Sequence, residues 1–241
     1  MHKQFHRLRI PLYSIGLVLA LAVSAAAPPA QLRPRFISPE HVDGVALLPP
    51  PPEPGSAEQE ADFATVRSVC KARTPEQVAA ALKTASLSMF LFESAMGEWF
   101  KPGALPKTEA LFNDIKTQMS GIIDECKDHW KRPRPHHLEP ELAVGRVDQS
   151  FSYPSGHSTR GTVYSLFFAE LAPEKKDDIL RIGRQIGWDR VIIAKHYPTD
   201  VFAGRVVGKE VFRQLMSNAR FREALAEARA EIQSAQMAVS K

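Results

Sequence analysis

From about residue 57 to the end of the chain, apolar side chains recur every three or four residues, and strand-like alternation is scarce. That spacing places the apolar side chains on one face of an α-helix, so this part of the chain is predicted to form a set of helices. Thr74 and Pro75 mark one helix start, and Pro198 marks another, because proline is favoured in the first helical turn. The sequence therefore predicts an all-α fold, with one helical bundle domain over residues 57–241.

Several of the predicted helices have recognisable boundaries or faces. An apolar stripe begins near Lys107 and continues to Cys126, and Ser155 is placed to cap the helix that follows it. One face of that helix is predicted to carry Val163, Leu166, Phe167 and Leu171. Ala203, Gly204 and Gly208 offer small surfaces at which two helices can approach closely, and a final helix is expected over residues 218–236.

The N-terminal 56 residues differ from this pattern. Residues 1–25 combine a basic start with an apolar stretch and small residues, which is the layout of a secretory signal peptide and predicts a periplasmic protein. The apolar stretch is short for a membrane span, which needs about 20 residues, and an uncleaved anchor is the alternative. Residues 26–56 are rich in proline and are predicted to form an extended arm that packs on the body or acts as a spacer.

Charge and hydropathy exclude some classes of function. The predicted leader holds three of the 31 basic residues and none of the 27 acidic ones, so the mature chain is close to neutral. A nucleic-acid partner is therefore not expected. No segment after the leader is long and apolar enough to span a bilayer. The sequence leaves a homo-oligomer open.

The chain has two cysteines, Cys70 and Cys126. An exported protein reaches an oxidising compartment, where the two thiols can form a disulfide. Two buried free thiols are the alternative, because the sequence gives no distance between them.

The first cluster of chemically informative residues is basic. Lys127 is followed by Arg134-Pro135, and Arg190 lies further along the chain. Arginine forks and a lysine charge suit the oxygens of a phosphoryl group, although a basic turn on its own is more often solvated. The two Arg-Pro pairs predict an extended backbone that directs Arg134 into a site and leaves Arg132, the weaker candidate, in solvent.

The second cluster, Pro154-Ser155-Gly156-His157, precedes a predicted helix. Gly156 allows close approach of an anion to the helix N-terminus, and Ser155 offers a hydroxyl donor. His157 is then placed to protonate a leaving oxygen as general acid. The alternative is a serine-capped helix with an exposed histidine.

The third cluster pairs His196 with Asp200. A carboxylate that accepts the Nδ1 proton of an imidazole leaves Nε2 as a nucleophile, and attack on phosphorus forms a phosphohistidine that water hydrolyses. A metal site that also recruits His136, His137, Glu139 or Glu141 is the alternative. We predict no metal and no cofactor.

Together, Lys127-x6-Arg134-Pro135, Ser152-Tyr153-Pro154-Ser155-Gly156-His157 and Arg190-x5-His196-x3-Asp200 resemble the three-part signature of the PAP2 superfamily of phosphatases. The chain is most similar to the class A bacterial non-specific acid phosphatases, and the similarity extends over nearly the whole mature chain. The resemblance implies an all-helical fold of that type and metal-independent hydrolysis of a broad range of small organic phosphate esters, with inorganic phosphate as product. It also implies that Lys127, Arg134, Ser155, Gly156 and Arg190 bind phosphate, while the catalytic residues are His196, Asp200 and His157.

One residue departs from the signature. The family usually has serine before the arginine of the third motif, and this chain has Asp189. A carboxylate beside the anion site is expected either to repel phosphate and occupy Arg190 or to point away from the site.

Three other functions are compatible with part of these sequence features. A vanadate-dependent haloperoxidase resembles the same motifs, but those chains are usually much longer. A catalytically weak phosphate-binding envelope protein is favoured only by Asp189. A membrane lipid phosphatase requires spans that this sequence lacks.

Overall fold

The computed structural model describes residues 36–239. Over this range it contains eleven α-helices, four short 3-10 helices and no β-strand. The α-helices are α1 (Gly44–Leu47), α2 (Ala57–Ala72), α3 (Pro75–Lys83), α4 (Glu93–Met96), α5 (Pro106–Gln118), α6 (Ser120–Trp130), α7 (Pro135–Leu138), α8 (Gly156–Leu171), α9 (Lys176–Ile192), α10 (Pro198–Ser217) and α11 (Ala219–Val239). The 3-10 helices are Pro39–His41, Met89–Phe92, Pro140–Leu142 and Pro173–Lys175.

The predicted all-α fold is confirmed. The predicted signal peptide and residues 26–35 of the predicted arm lie outside the described residues, and the domain boundaries stay a prediction. Within residues 36–239, no helix has both the length and the apolar composition that crossing a bilayer requires.

Local sequence signals explain where the helices begin. The Thr74 hydroxyl accepts a hydrogen bond from the Gln77 N–H, and the Gln77 side chain accepts from the Thr74 N–H, which completes a capping box at α3. The predicted cap at Ser155 is present, since its hydroxyl accepts from the Ser158 N–H at 3.3 Å. These caps satisfy N–H groups that have no partner inside the helix.

Helix α8 is the central element of the fold. Its most extensive contacts are with α9 and α10, and it buries residues on all of its faces rather than on the single predicted face. A Cβ atom added to Gly161 would lie 2.9 Å from the carbonyl oxygen of Gly183 on α9, and one added to Gly204 would lie 2.6 Å from that of Ser155. The backbones therefore approach closely, which confirms the role predicted for Gly204.

The described part of the arm, residues 36–56, packs on the helical body. Phe36, Ile37, Val42 and Leu48 are all buried in the main hydrophobic core. The Tyr153 hydroxyl donates a hydrogen bond to the Pro49 carbonyl at 2.8 Å. Of the two arrangements that the sequence left open, packing on the body is therefore the one adopted over residues 36–56.

The apolar stripe from residue 107 to 126 forms two helices instead of one. The chain bends at Met119, between α5 and α6. At this bend the Gln118 side chain accepts a hydrogen bond from the Phe36 N–H at 2.6 Å, and Gly121 faces the Pro39 ring. The first of these contacts joins residues 82 apart in the sequence, so the local pattern does not reveal it.

Both cysteines are free thiols. Cys70 accepts a hydrogen bond from the Arg73 guanidinium at 3.2 Å, and burial raises its pKa. Burial also raises the pKa of Cys126 to about 11. The thiols are therefore free, as in the second predicted alternative, but only Cys126 is buried, and Cys70 is partly exposed.

Candidate active site

The three sequence motifs meet at a cavity of about 210 Å³. Six of the eight predicted site residues line it: Lys127, Arg134, Gly156, His157, Arg190 and His196. The other two, Ser155 and Asp200, are fully buried behind the cavity wall. The wall carries five cationic side chains, Lys127, Arg134, Arg160, Arg190 and Lys195, and two carboxylates, Asp124 and Asp148. This excess of positive charge suits an anionic ligand.

The first motif places its cations through a helix end and a proline. Helix α6 ends at Trp130, and the next residue, Lys131, caps it in a left-handed conformation with φ of 47°. Arg134 then has an extended backbone (φ −79°, ψ 158°), as expected of a residue that precedes proline. Its side chain lines the same cavity as Lys127, which lies in the last turn of α6.

The third motif folds back on itself after α9. The Lys195 and His196 N–H groups both donate to the Arg190 carbonyl, at 2.8 and 3.2 Å. Ala194 adopts a left-handed backbone with φ of 54° to complete the turn. This turn brings His196 beside Arg190, although five residues separate them in the sequence.

His196 is held from both sides of its ring. Its Nδ1 lies 3.2 Å from the Asp200 carboxylate, and its Nε2 lies 3.0 Å from Nη1 of Arg134. A carboxylate accepts a proton and a guanidinium only donates, so these partners fix the tautomer with the proton on Nδ1 and a lone pair on Nε2. Burial, followed by repulsion from Arg134 and Lys127, lowers the pKa of His196 well below its usual value.

Asp200 is itself fixed by a buried cluster. Its carboxylate accepts hydrogen bonds from the Ser152 hydroxyl, from the Tyr197 N–H at 2.9 Å and from the Arg132 guanidinium at 2.6 Å. Arg132 also donates to Asp62 at 2.7 Å. The orientation of the His196 ring thus depends on residues that do not line the cavity.

The expectation that Arg132 faces solvent is wrong. Its side chain is 4% exposed and lies over the Tyr197 ring, with the guanidinium carbon 4.0 Å from the ring centroid. Asp62 and Asp200 provide the opposite charges that offset the cost of burying this guanidinium. The basic motif therefore divides between two environments, with Arg134 at the cavity and Arg132 behind it.

Among the cavity cations, Arg134 and Lys195 lie 3.9 and 3.5 Å from the Asp148 carboxylate. Within residues 36–239, Lys127 and Arg190 form no ion pair. Burial and repulsion from Arg134 lower the pKa of Lys127 to about 8. Burial lowers the pKa of Arg190 to about 10, and it also lowers that of Arg134. Nε of Arg190 is buried and finds no acceptor among the described residues. A bound oxyanion would offset each of these unfavourable burials.

His157 lies at the rim of the same cavity, at the start of α8. Its Nε2 lies 3.1 Å from the Ala85 carbonyl oxygen, so Nε2 is the protonated nitrogen when the ring is neutral. Burial, with repulsion from Arg190, lowers the pKa of His157 to about 3. The ring is therefore neutral in the cavity as the structure shows it, with Nδ1 available to take up a proton.

The second motif supplies the N-terminus of α8. Gly156 lines the cavity, whereas the Ser155 hydroxyl is occupied by capping α8. The Ser155 N–H donates to the Asp200 carbonyl at 2.9 Å, which ties this helix start to α10. Ser155 thus holds the backbone in place, and its predicted role as a phosphate ligand stays a prediction.

Comparison with known proteins agrees with this geometry. A model of the PAP2 superfamily matches residues 113–219, a range that contains all three motifs. The non-specific acid phosphatase of Providencia stuartii is 30% identical over 241 residues, covering 92% of this chain and 96% of that protein. The chain belongs to the PAP2 superfamily.

Other relatives and one solved structure are also similar. An acid phosphatase of Zymomonas mobilis is 28% identical, over 94% of this chain and 89% of that protein. The crystal structure of a transmembrane PAP2-type phosphatidylglycerolphosphate phosphatase from Bacillus subtilis matches 72% of this chain and 89% of that chain, with 22% identity and a TM-score of 0.48. The sequence relatives confirm the predicted family and, with it, a phosphatase enzyme.

The departure from the superfamily signature, Asp189, points away from the cavity. Its carboxylate accepts hydrogen bonds from the Thr84 hydroxyl at 2.8 Å and from the Gln185 amide at 2.7 Å. The same Thr84 oxygen accepts from Arg190 at 2.6 Å. Of the two expectations for this carboxylate, the structure shows the second: Asp189 does not occupy Arg190 and fixes the hydroxyl that orients it.

Sequence reasoning missed several residues of the site. Arg160 and Lys195 line the cavity, and Thr84 and Ala85 hold Arg190 and His157 from the end of α3. Arg160 lies one helical turn after Gly156, and this spacing is the signal that places its side chain on the same face. Thr84 and Ala85 are distant in sequence from every motif and carry no such signal.

Three of the four alternative metal ligands have other hydrogen-bond partners. His136 Nδ1 lies 3.0 Å from the Ala194 carbonyl, His137 Nε2 lies 2.9 Å from the Asp148 carbonyl, and Glu139 accepts from Arg67. In residues 36–239 there is no group of three or more His, Cys, Asp or Glu side chains arranged to hold a metal ion.

Proposed function

We propose that this protein is an exported acid phosphatase that hydrolyses phosphomonoesters through a phosphohistidine, without a metal ion. The observation that carries the proposal is the position of His196. Its Nδ1 faces a buried carboxylate, and its Nε2 faces a cavity lined by five cations. A fixed lone pair beside an anion-binding cavity is the arrangement that nucleophilic attack on phosphorus requires.

In the first step, Nε2 of His196 attacks phosphorus and the bond from phosphorus to the ester oxygen breaks. Arg134 donates to Nε2 at 3.0 Å in the structure, so it must shift to a phosphoryl oxygen before attack. The phosphorylated imidazole is cationic, and Asp200 stabilises it from the Nδ1 side. Water then attacks phosphorus, the bond to Nε2 breaks, and inorganic phosphate is released.

His157 is the proposed proton carrier for both steps. It donates a proton to the ester oxygen as that oxygen leaves, and it takes a proton from the attacking water. With a pKa of about 3 it is neutral in the free cavity at the working pH. A phosphate monoester has a second pKa of about 6, so below that pH the substrate brings in the required proton. The acidic optimum of the proposed enzyme follows from this.

The cavity cations stabilise the negative charge of the phosphoryl group, which a metal ion stabilises in some other phosphatases. Lys127 and Arg190 are already buried beside the cavity, and Arg134 has only to shift from Nε2 of His196, so these three cations can neutralise the charge on the phosphoryl oxygens. These residues recognise the phosphoryl group rather than the alcohol, which supports a broad range of small organic esters. The basic and apolar layout of residues 1–25 supports export.

His196→Ala is the direct test. Turnover of p-nitrophenyl phosphate at pH 5 to 6 should fall by about 10³-fold or more, because no other group replaces the nucleophile. His129, an exposed histidine on α6, provides the matched control, and His129→Ala should retain activity. Rapid quenching of the wild type at high pH should trap a phosphoryl group on His196. Undiminished turnover in His196→Ala would refute the mechanism.

A further inference from the structure

We propose that a second cavity, continuous with the phosphate cavity, receives the alcohol part of the ester and favours esters that carry another anionic group. The inference rests on the proposed phosphatase function, because it concerns the leaving group of that reaction. It assigns binding roles to Lys116 and Arg160, which none of the three motifs contains.

The second cavity has a volume of about 620 Å³ and lies between the end of α3, α5 and the start of α8. His157 and Arg160 line both this cavity and the phosphate cavity. Its volume is in the range of pockets that hold small organic ligands. A phosphoryl group bound at His196 therefore has an adjoining space large enough for the rest of the ester.

The position of His157 indicates which part of the ester occupies that space. If His157 protonates the leaving oxygen, that oxygen lies within hydrogen-bonding distance of its ring. In-line attack by His196 puts the leaving oxygen on the side of phosphorus opposite to Nε2. The alcohol carbon attached to this oxygen then extends past His157, into the space that the ring shares with Arg160.

The charges of the second cavity indicate which alcohols it favours. Two cations, Lys116 and Arg160, line it, and none of its lining residues is acidic. Lys116 donates one hydrogen bond, to the Leu87 carbonyl at 2.9 Å. Arg160 donates to the Ser120 hydroxyl at 2.9 Å and lies 3.5 Å from the Gly156 carbonyl. All three partners are neutral.

Within residues 36–239, neither of these two cations forms an ion pair with a carboxylate. An ammonium has three donors and a guanidinium has five, so both retain donors for a ligand. An apolar alcohol would cover these charges without pairing them, whereas a carboxylate or second phosphate on the alcohol would pair with them. The preferred substrates are therefore phosphomonoesters with a second anionic group a few bonds from the ester oxygen.

A matched pair of substrates tests the inference. 3-Phosphoglycerate and glycerol 3-phosphate differ by a carboxylate in place of a hydroxymethyl group. We expect the wild type to hydrolyse 3-phosphoglycerate with about fivefold higher kcat/KM, the effect of an ion pair at a half-buried site. Lys116→Gln should bring the ratio of the two kcat/KM values close to one. Because both substrates are assayed on one preparation, this ratio does not depend on how much of the variant folds.

Lys107→Gln is the control, because Lys107 lies on the same helix and pairs with Glu227 outside the cavity. This variant should keep the wild-type ratio. Equal kcat/KM values for the two substrates in the wild type, or an unchanged ratio in Lys116→Gln, would overturn the inference and leave the phosphatase proposal standing. No hydrolysis of either substrate or of p-nitrophenyl phosphate would overturn both.

Discussion

A buried arginine lies on each side of the His196 ring, but one of them is paired with carboxylates and the other is not. Behind the ring, Arg132 is paired with Asp62 and Asp200 at 2.7 and 2.6 Å. In front of it, the partners that Arg190 finds within residues 36–239 are a carbonyl and a hydroxyl, both neutral. We refer to Arg132, Asp62 and Asp200 as the paired side, and to Lys127 and Arg190, which form no ion pair within residues 36–239, as the unpaired side.

The pKa values follow the same division. Burial disfavours the charge on Arg132, but Asp200 and Asp62 more than offset it, so the pKa of Arg132 is raised. Burial lowers the pKa of Arg190 to about 10, since the nearby carboxylates offset it only in part. A buried arginine is therefore structural where carboxylates balance it, and it is available to a ligand where they do not.

The largest effect is expected on the paired side. Arg132→Met leaves Asp62 and Asp200 buried without their cation and should lower the free energy of unfolding by about 3–5 kcal/mol. Denaturant unfolding measures this change. Arg67→Met is the control, because the Arg67–Glu139 pair is exposed and should contribute about 1 kcal/mol or less. Equal losses in the two variants would contradict the proposed difference between the paired cluster and an ordinary surface pair.

On the unpaired side, the corresponding change should affect activity and spare stability. Arg190→Met should lower kcat/KM for p-nitrophenyl phosphate by about 10²–10³-fold, because it removes a donor that stabilises the transferring group. The free energy of unfolding should stay within about 1 kcal/mol of the wild type, because only neutral acceptors lose a partner.

Steady-state kinetics and denaturant unfolding test both parts of this prediction. Arg184→Met, an exposed change on the same helix, should alter neither quantity. A stability loss in Arg190→Met as large as that in Arg132→Met would remove the distinction between the two sides.

We also expect phosphate binding on the unpaired side to depend on pH, because Lys127 titrates there. Lys127 has a pKa of about 8, so it is charged below that pH and loses its proton as the pH rises further. The inhibition constant for inorganic phosphate should therefore increase, by up to about tenfold per pH unit, above pH 8. In Lys127→Arg the charge persists, so inhibition should stay nearly constant from pH 7 to 9.5. The same slope in both proteins would show that Lys127 is not the titrating group.

The smallest effect concerns Asp189, a carboxylate close to the unpaired side that does not enter the cavity. Asp189→Ala should lower kcat/KM by about threefold and Thr84→Val by about tenfold, because Asp189 acts on Arg190 through Thr84. The double variant should then be no worse than Thr84→Val alone. Asp178→Ala, on the exposed part of the same helix, is the control. Additive losses would mean that Asp189 affects the site by another route.

The motifs predicted the residues that line the cavity far better than they predicted the paired side. Lys127, Arg134, His157, Arg190 and His196 were all identified from their spacing, and all line one cavity. The environment of Arg132 was predicted wrongly, since its partner Asp62 is 70 residues away on α2. Asp62 was not singled out, because an acidic residue on a helix has no local feature that distinguishes a buried partner from a solvated one.

Prediction of the fold has the same limit, because contacts between residues distant in sequence leave no local pattern. Helix periodicity and caps predicted the existence and type of the main helices, but not the bend at Met119 or the central position of α8. Polar residues such as Ser158 and Thr159 line α8 where it meets its neighbours, and the Ser158 hydroxyl donates to the Val201 carbonyl at 2.6 Å. From the sequence alone, a helix face with small polar residues such as these is expected to be exposed to solvent rather than packed against another helix.

The sequence by itself determined the all-α fold, the superfamily and the set of side chains available for phosphoryl chemistry. These follow from local periodicity and fixed spacing, which the chain carries whatever its long-range contacts. The tertiary structure decided which cations are neutralised, where Asp189 points and which nitrogen of His196 is free. Those properties depend on charges and hydrogen bonds between residues far apart in the chain, and only packing brings them within reach of one another.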